Sequence, residues 1–270
     1  MINDVQRQFR GYNHYWTHDW YRRHPGSWHP AYIPSVRWWY RPTWYDTWAW
    51  YGPGFFTGFA LGSATAPRPY YPYYYGNNIV YRGNMVYVNG VPYVSAADYY
   101  SQALILAQSR ETVVIEVPVE QAVAEPIRLA EGPVLDPPMQ EQVVAGPVPD
   151  DDTAEWLPMG TFALLDDVTQ KESSGVLQLA TNRAGQIRGN YVDEAADEAR
   201  QIRGAVDPKS QRVAFQFDGD DVTVMECGLW NLTQDSVPLL IHHGEEQTEQ
   251  KTLIRLTQDE ETDEETDLAP

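Results

Sequence analysis

Gly175-Val-Leu-Gln-Leu-Ala-Thr-Asn-Arg-Ala-Gly-Gln-Ile-Arg-Gly-Asn-Tyr-Val192 is the stretch that decides the fold. Two short runs, 175–181 and 185–192, are apolar or alternating and flank the turn-like Asn182-Arg-Ala-Gly185. Extended backbone sends successive side chains to opposite faces, and a short glycine-bearing connection between two such runs closes a hairpin. The same grammar continues on both sides. Upstream stands Trp156-Leu-Pro-Met-Gly-Thr-Phe-Ala-Leu-Leu165. Downstream stand 201–206, 211–217, 222–227, 237–241 and 252–256, punctuated by Asp207-Pro-Lys-Ser210 and Asp218-Gly-Asp-Asp221. Pieces of this kind across 155–257 predict a mainly β fold, an antiparallel meander closed into a barrel or folded as a sandwich.

Before this β domain the text changes twice. Residues 111–154 are rich in Val, Pro and Glu and end in Asp150-Asp-Asp152, which reads as an acidic linker, with one strand expected over Thr112–Pro118. Residues 76–110 predict a hairpin plus helix. Strands over 78–81 and 85–88 join at Arg82-Gly-Asn84, Asn89-Gly90 turns the chain again, and Ser95 with Asp98 caps a helix over 96–109. That helix presents Tyr99, Ala103, Leu104, Leu106 and Ala107 as its apolar face.

Residues 1–75 hold 8 of the 10 Trp, and residues 1–100 hold 17 of the 18 Tyr, with neither a 3.6 nor a 2 period. Prolines 25, 30, 34, 42, 53, 67, 69 and 72 cut the first region into pieces, leaving a short helix within 3–23 and another near 43–50. Pro69-Tyr-Tyr-Pro-Tyr-Tyr-Tyr75 reads as an extended linker. Such a region packs against the rest of the chain or against a partner. At the other end, residues 258–270 read as an acidic, disordered tail.

The net charge is −19, divided as +4 over residues 1–100 and −23 over the remainder. So acidic a chain is poorly suited to holding a polyanion as its main task, although the basic, aromatic front leaves nucleic-acid or glycan binding open. No run of about 18 apolar residues exists, so no transmembrane helix is predicted, and the first residues show no export-signal pattern.

Candidate chemistry is thin. Cys227 stands alone in an alternating stretch and reads as a packed small hydrophobe. His14, His18, Asp19, His24 and His29 lack a metal-ligand spacing and read as surface or stacking residues. His242-His243 would point to opposite strand faces, a poor chelate. Asp166-Asp167, Asp193-Glu194, Asp197-Glu198 and Asp220-Asp221 read as solvated loop charge, and Asp218-Gly-Asp-Asp221 is too short for a calcium loop. The series Gly52, Gly54, Gly58, Gly62 lacks the lysine and strand of a phosphate loop. Asn231-Leu-Thr233 matches a glycosylation acceptor. No catalytic, cofactor-binding or metal-ligating residue is assigned, no cofactor is expected, and the chain is expected not to be an enzyme.

Several segments carry a family resemblance: Tyr21-Arg-Arg-His-Pro-Gly-Ser-Trp28, Tyr75-Gly-Asn-Asn-Ile-Val-Tyr81, Val86-Tyr-Val-Asn-Gly90, Trp156–Leu164, Leu177–Tyr191 and Thr223–Thr233. Together they resemble an uncharacterised family of planctomycete-type bacteria whose members bear cell-surface or protocadherin-like labels. The resemblance spans most of 20–257 and implies a place at the cell envelope or outside the cell. It supplies no catalytic residues, and the calcium-binding patterns of cadherin repeats are missing from this chain. Family members usually carry an export signal, which the start of this chain does not show.

The leading expectation is a non-catalytic structural or protein-interaction module at the cell envelope, meeting a protein partner through its aromatic N-terminal region. A second reading is small apolar ligand binding inside the barrel, in a cavity lined by Phe162, Leu177, Leu179, Phe215, Phe217 and Trp230. A third is nucleic-acid or glycan binding by the N-terminal aromatics, which requires Arg and Trp side chains exposed together on one face.

Overall fold

A computed structural model describes residues 2–9, 14–30, 33–52, 55–56, 70–109, 155–166, 173, 175–193, 196 and 198–257. The strand expected at 112–118, the linker and the tail lie outside these residues. In chain order the elements begin with α1 (Ile2–Gln8), α2 (His18–Arg23), a 3-10 helix at Ser35–Trp39 and α3 (Trp44–Tyr51). Then come β1 (Ile79–Arg82), β2 (Met85–Val88), β3 (Val91–Ser95) and α4 (Ala96–Gln108). The β domain follows as β4 (Trp156–Leu165), β5 (Gly175–Asn182), β6 (Gln186–Asp193), β7 (Glu198–Val206), β8 (Arg212–Phe217), β9 (Thr223–Gly228), β10 (Ser236–His243) and β11 (Thr248–Leu256).

β4 to β11 form a closed barrel in which each strand pairs antiparallel with its neighbours in sequence, and β11 pairs with β4 to close it. The sandwich alternative is thereby settled in favour of a barrel. The hairpin and helix over 76–110 are present as a three-stranded sheet with α4 behind it. Ser95 Oγ accepts from the Asp98 amide at 3.0 Å and caps α4 as its sequence requires. Within 3–23 the single expected helix is two. Thr17 starts α2 afresh, its hydroxyl accepting from the Trp20 amide at 3.2 Å. α3 begins after Pro42 on a full capping box between Thr43 and Asp46.

The barrel interior is filled by the inward set of each strand, including Phe162, Leu177, Leu179, Val213, Phe215, Met225, Cys227, Leu239 and Leu253. Both mouths carry aromatic residues. At one, Tyr51 donates to or accepts from Thr181 Oγ1 at 2.6 Å, with Phe55 stacked on it and Phe56 beside it. Gly185, at φ +81°, makes that mouth possible, since a Cβ there would lie 2.7 Å from the Phe55 ring. At the other, Tyr191 and Phe217 meet with ring centroids 5.3 Å apart.

The outer wall is covered as well, by two separate claddings. The first is the N-terminal aromatic region. Trp16, Trp20, Trp38 and Trp39 are buried with Val5 and Phe9 against the outward residues Ala163, Leu165, Val176, Ala180, Ile254 and Leu256. Outward polar residues clamp it: Trp16 Nε1 donates to Thr161 Oγ1 at 3.1 Å, and Thr161 Oγ1 donates to the Trp38 carbonyl at 3.0 Å. Asn190 bonds both the amide and the carbonyl of Trp28 at 2.8 Å. The second cladding is β1–β3 with α4, which packs on the outer faces of β7 to β10 through Ala103, Leu106, Ala107, Ala205, Ala214, Val224 and Leu240. The stretch before it, read as a linker, is a packed strap among residues 70–75. The Tyr71 amide bonds Gln211 and the Tyr73 amide bonds Asn231. Each indole taken from water removes about 150–250 Å² of surface, on the order of 4–6 kcal/mol gross before chain entropy. This burial is what holds otherwise irregular backbone in place.

Candidate functional site

The residues singled out by sequence fall in three kinds of place. Phe162, Leu177, Leu179 and Phe215 are in the barrel interior and are fully buried against their own neighbours. Cys227 is among them, and burial pushes its thiol well above its usual range. Phe217 lies at the mouth. Trp230 is not an interior residue: the strand parity ends at Gly228, the chain turns, and the indole stacks on Tyr70 outside the barrel at 4.7 Å. It is removed from the set proposed to line a cavity.

The histidines are dispersed. His14 packs beside Tyr15 in a turn, so it does not share a helical face with His18. His24 stacks on Trp20 at 4.4 Å. His243 is exposed at the end of β10, on the strand face opposite to His242, and meets Glu249 at 3.2 Å, while His242 is buried on the outer wall of β10. Asp218 and Asp221 hold Arg203 at 3.3 and 3.7 Å, and Asp220 accepts from the amides of Val222 and Thr223 to shape the turn. Asn231 is fully buried with its amide spent on the backbone of Tyr73, so the glycosylation pattern falls on a structural residue.

Sequence reasoning missed a charged constellation under the second cladding. Arg212 on β8, Glu226 on β9 and His242 on β10 all point outward and are all buried beneath β1–β3 and α4. Arg212 Nε and Nη2 both donate to Glu226 Oε2, and Nη2 also donates to the Tyr99 carbonyl at 3.1 Å. The guanidinium lies 3.7 Å over the Tyr99 ring. His242 Nε2 is 3.7 Å from Glu226 Oε1. Burial alone would push the Glu226 carboxyl up, but Arg212, joined by His242, overrides it and holds the group below the usual carboxylate range. The buried hydroxyls of Tyr75, Tyr81 and Tyr99 surround this pair without hydrogen-bond partners among the described residues, and burial pushes all three phenols upward. Catalytic groups must reach a substrate, and this set is sealed by the cladding.

A second buried cation, Arg255, stands at the α3 end of the barrel. It donates to the carbonyls of Met159, Leu232 and Gln234 and lies 4.6 Å over Phe162, and burial pushes its pKa down to about 9. Gly160, at φ +124°, leaves the space its guanidinium fills.

Between the two claddings a strip of wall stays open. A groove of about 440 Å³ lies over β6 and β7. Trp28, His29 and Pro30 of the first cladding form one side with Trp156, and Gln108 and Ser109 at the end of α4 reach it from the second. Its floor carries Gln186 and Arg188 from β6 and Gln201 and Arg203 from β7. Arg188 and Arg203 are direct cross-strand partners. The volume falls within the range of small-molecule clefts, about 300–1,000 Å³. Among the described residues no group of three or more His, Cys, Asp or Glu is placed to hold a metal, and no helix is long and apolar enough to cross a membrane.

Fold and site therefore define a class, an eight-stranded up-and-down barrel clad on its outer wall by its own N-terminal half. No family model matches the chain, and no curated protein or solved structure does either.

Proposed function

We propose that the protein is a non-catalytic interaction module whose recognition surface is the groove between the claddings. The observation that carries this reading is the groove itself: two arginines, three glutamines and two indoles converge on an open strip of an otherwise covered wall. Most described N-terminal indoles are spent on the barrel, so the aromatic region meets its partner through Trp28, His29 and Pro30 rather than along its whole length. The filled interior favours a barrel that serves as scaffold over one that carries an apolar ligand. The sealing of Arg212, Glu226 and His242 favours a structural role for them over catalysis. A place at the cell envelope is proposed with this function on the family resemblance.

The test is retention. Envelope and soluble fractions of the native cell are passed over the immobilised full chain and over its R188Q/W156A variant. A component held by the first and lost by the second supports the reading. Equal retention by both sinks it.

A further inference from the structure

We infer that the seat of the second cladding is a hydration site: buried water bridges the phenols of Tyr75, Tyr81 and Tyr99 to Glu226 and His242 on the barrel wall.

Five polar atoms of this seat are buried without a hydrogen bond among the described residues, namely the three phenol oxygens, Glu226 Oε1 and His242 Nε2. They lie close together. His242 Nε2 is 3.7 Å from Glu226 Oε1, the Tyr99 ring centroid is 6.2 Å from that of His242, and the Tyr81 ring centroid is 6.0 Å from that of Tyr99. All three phenols lie within the field of Glu226 and Arg212. Groups this deep pair with protein or with ordered water. Arg212 spends both its donors to the carboxylate on Oε2, so Oε1 is left over as a charged acceptor. The 3.7 Å gap to His242 is longer than a direct N–H···O bond, and a water beside the gap reaches both atoms.

The chemistry of the five atoms suits water. Each phenol has a proton to donate, which water accepts, and water then donates to Glu226 Oε1. His242 Nε2 donates or accepts according to its tautomer, and water answers either. A buried water makes about three hydrogen bonds, so one is too few for five groups and about two are expected. Nothing larger enters without lifting the cladding, since Glu226 is 0% and His242 1% exposed. A cation is not called for, because Arg212 already neutralises the carboxylate. Water in this seat makes the phenols positioning residues for the ion pair: they hold Oε1 through it, while Arg212 holds Oε2.

The experiment counts long-lived water in the full chain by oxygen-17 magnetic relaxation dispersion and follows the melting temperature in parallel. Wild type is compared with Y75F, Y99F, the triple Y75F/Y81F/Y99F variant and Y100F. The last is the control, because the Tyr100 hydroxyl donates directly to the Val222 carbonyl at 2.8 Å. The triple variant is expected to lose about one water or more, Y75F and Y99F to melt below wild type, and Y100F to keep the wild-type count. A triple variant that keeps the wild-type count overturns the proposal. So do Y75F and Y99F variants that melt above wild type, as follows when a buried hydroxyl with no partner is removed. Should the triple variant fail to fold, a high-resolution crystal structure of the wild type decides. Water density in hydrogen-bond reach of Glu226 Oε1 and at least one of the phenols supports the site, and a dry seat with the phenols bonded directly to Glu226 or to one another overturns it.

Discussion

Glu226→Gln is the perturbation whose outcome the structure constrains most. Glu226 is fully buried, and Arg212 beside it is 4% exposed at its side chain. The wild-type carboxylate takes two N–H donors from one guanidinium on a single oxygen. Glutamine keeps the shape and removes the charge, leaving the Arg212 cation buried beneath Tyr99 with carbonyl acceptors alone. Breaking a buried pair from one side costs about 3–5 kcal/mol. The isosteric replacement retains an acceptor, so the lower end, about 3 kcal/mol, is expected. For an ordered structure of this size, about 2–4 °C of melting temperature accompanies each kcal/mol, so a fall of roughly 6–12 °C should appear in thermal unfolding, with a matching shift of the urea midpoint. Asp235→Asn, at the half-exposed pair with Arg41, is the control and should cost less than about 1 kcal/mol. The double change Arg212→Met with Glu226→Leu removes both charges and should lie closer to wild type than E226Q does. An E226Q variant no less stable than D235N would refute the claim that this pair bears on the cladding at all.

The same pair sets a pH dependence. The folded Glu226 carboxyl lies below its ordinary value of 4.5, so its contribution is complete above that pH and is lost as pH falls toward the folded value. The gap in stability between wild type and E226Q, followed by urea titrations from pH 6 to pH 3, should therefore narrow below about pH 4.5. A gap that widens there contradicts the sign. Trp38→Ala should cost about 3–5 kcal/mol, because the indole is fully buried against the outer wall, and chemical denaturation measures it. Gly160→Ala should cost about 1–3 kcal/mol, since its backbone sits at φ +124° and the new methyl meets the Arg255 guanidinium; wild-type stability in that variant would show that Arg255 yields freely. Cys227 should resist a thiol reagent in the native chain and react on unfolding, and a fast native reaction would contradict its burial in the barrel.

The local devices were legible. Ser95 with Asp98, the helix near 43–50 that follows Pro42, and the turns at 182–185, 207–210 and 218–221 all act within a few residues, and their chemistry is written where they act. The strand pieces came through for the same reason. Their ends did not: β7 starts at Glu198 and β11 at Thr248, upstream of the apolar runs, because the edge of a ladder is set by pairing with the next strand rather than by hydropathy. Trp230 was misplaced because alternation was carried past Gly228, where the chain leaves the barrel.

The destination of the aromatic half had a faint signal. Phe162-Ala-Leu-Leu165 is apolar at every position, and a strand apolar on both faces asks for cover on both. Nothing in the sequence said that the cover was the described part of residues 2–39. The groove and the buried charges had no local signal. Arg212, Glu226 and His242 lie 14 and 16 residues apart and meet as diagonal neighbours once β8, β9 and β10 pair in register.

By itself, then, the sequence determined which pieces of this protein extend, turn and coil, because those choices rest on each residue and its near neighbours. Tertiary structure alone decided that the barrel closes, that Trp16, Trp20, Trp38 and Trp39 face inward onto its wall, and that Trp28, Ser109, Trp156, Arg188 and Arg203 border one groove. These are contacts between distant segments, chosen by the area they bury and the charges they pair.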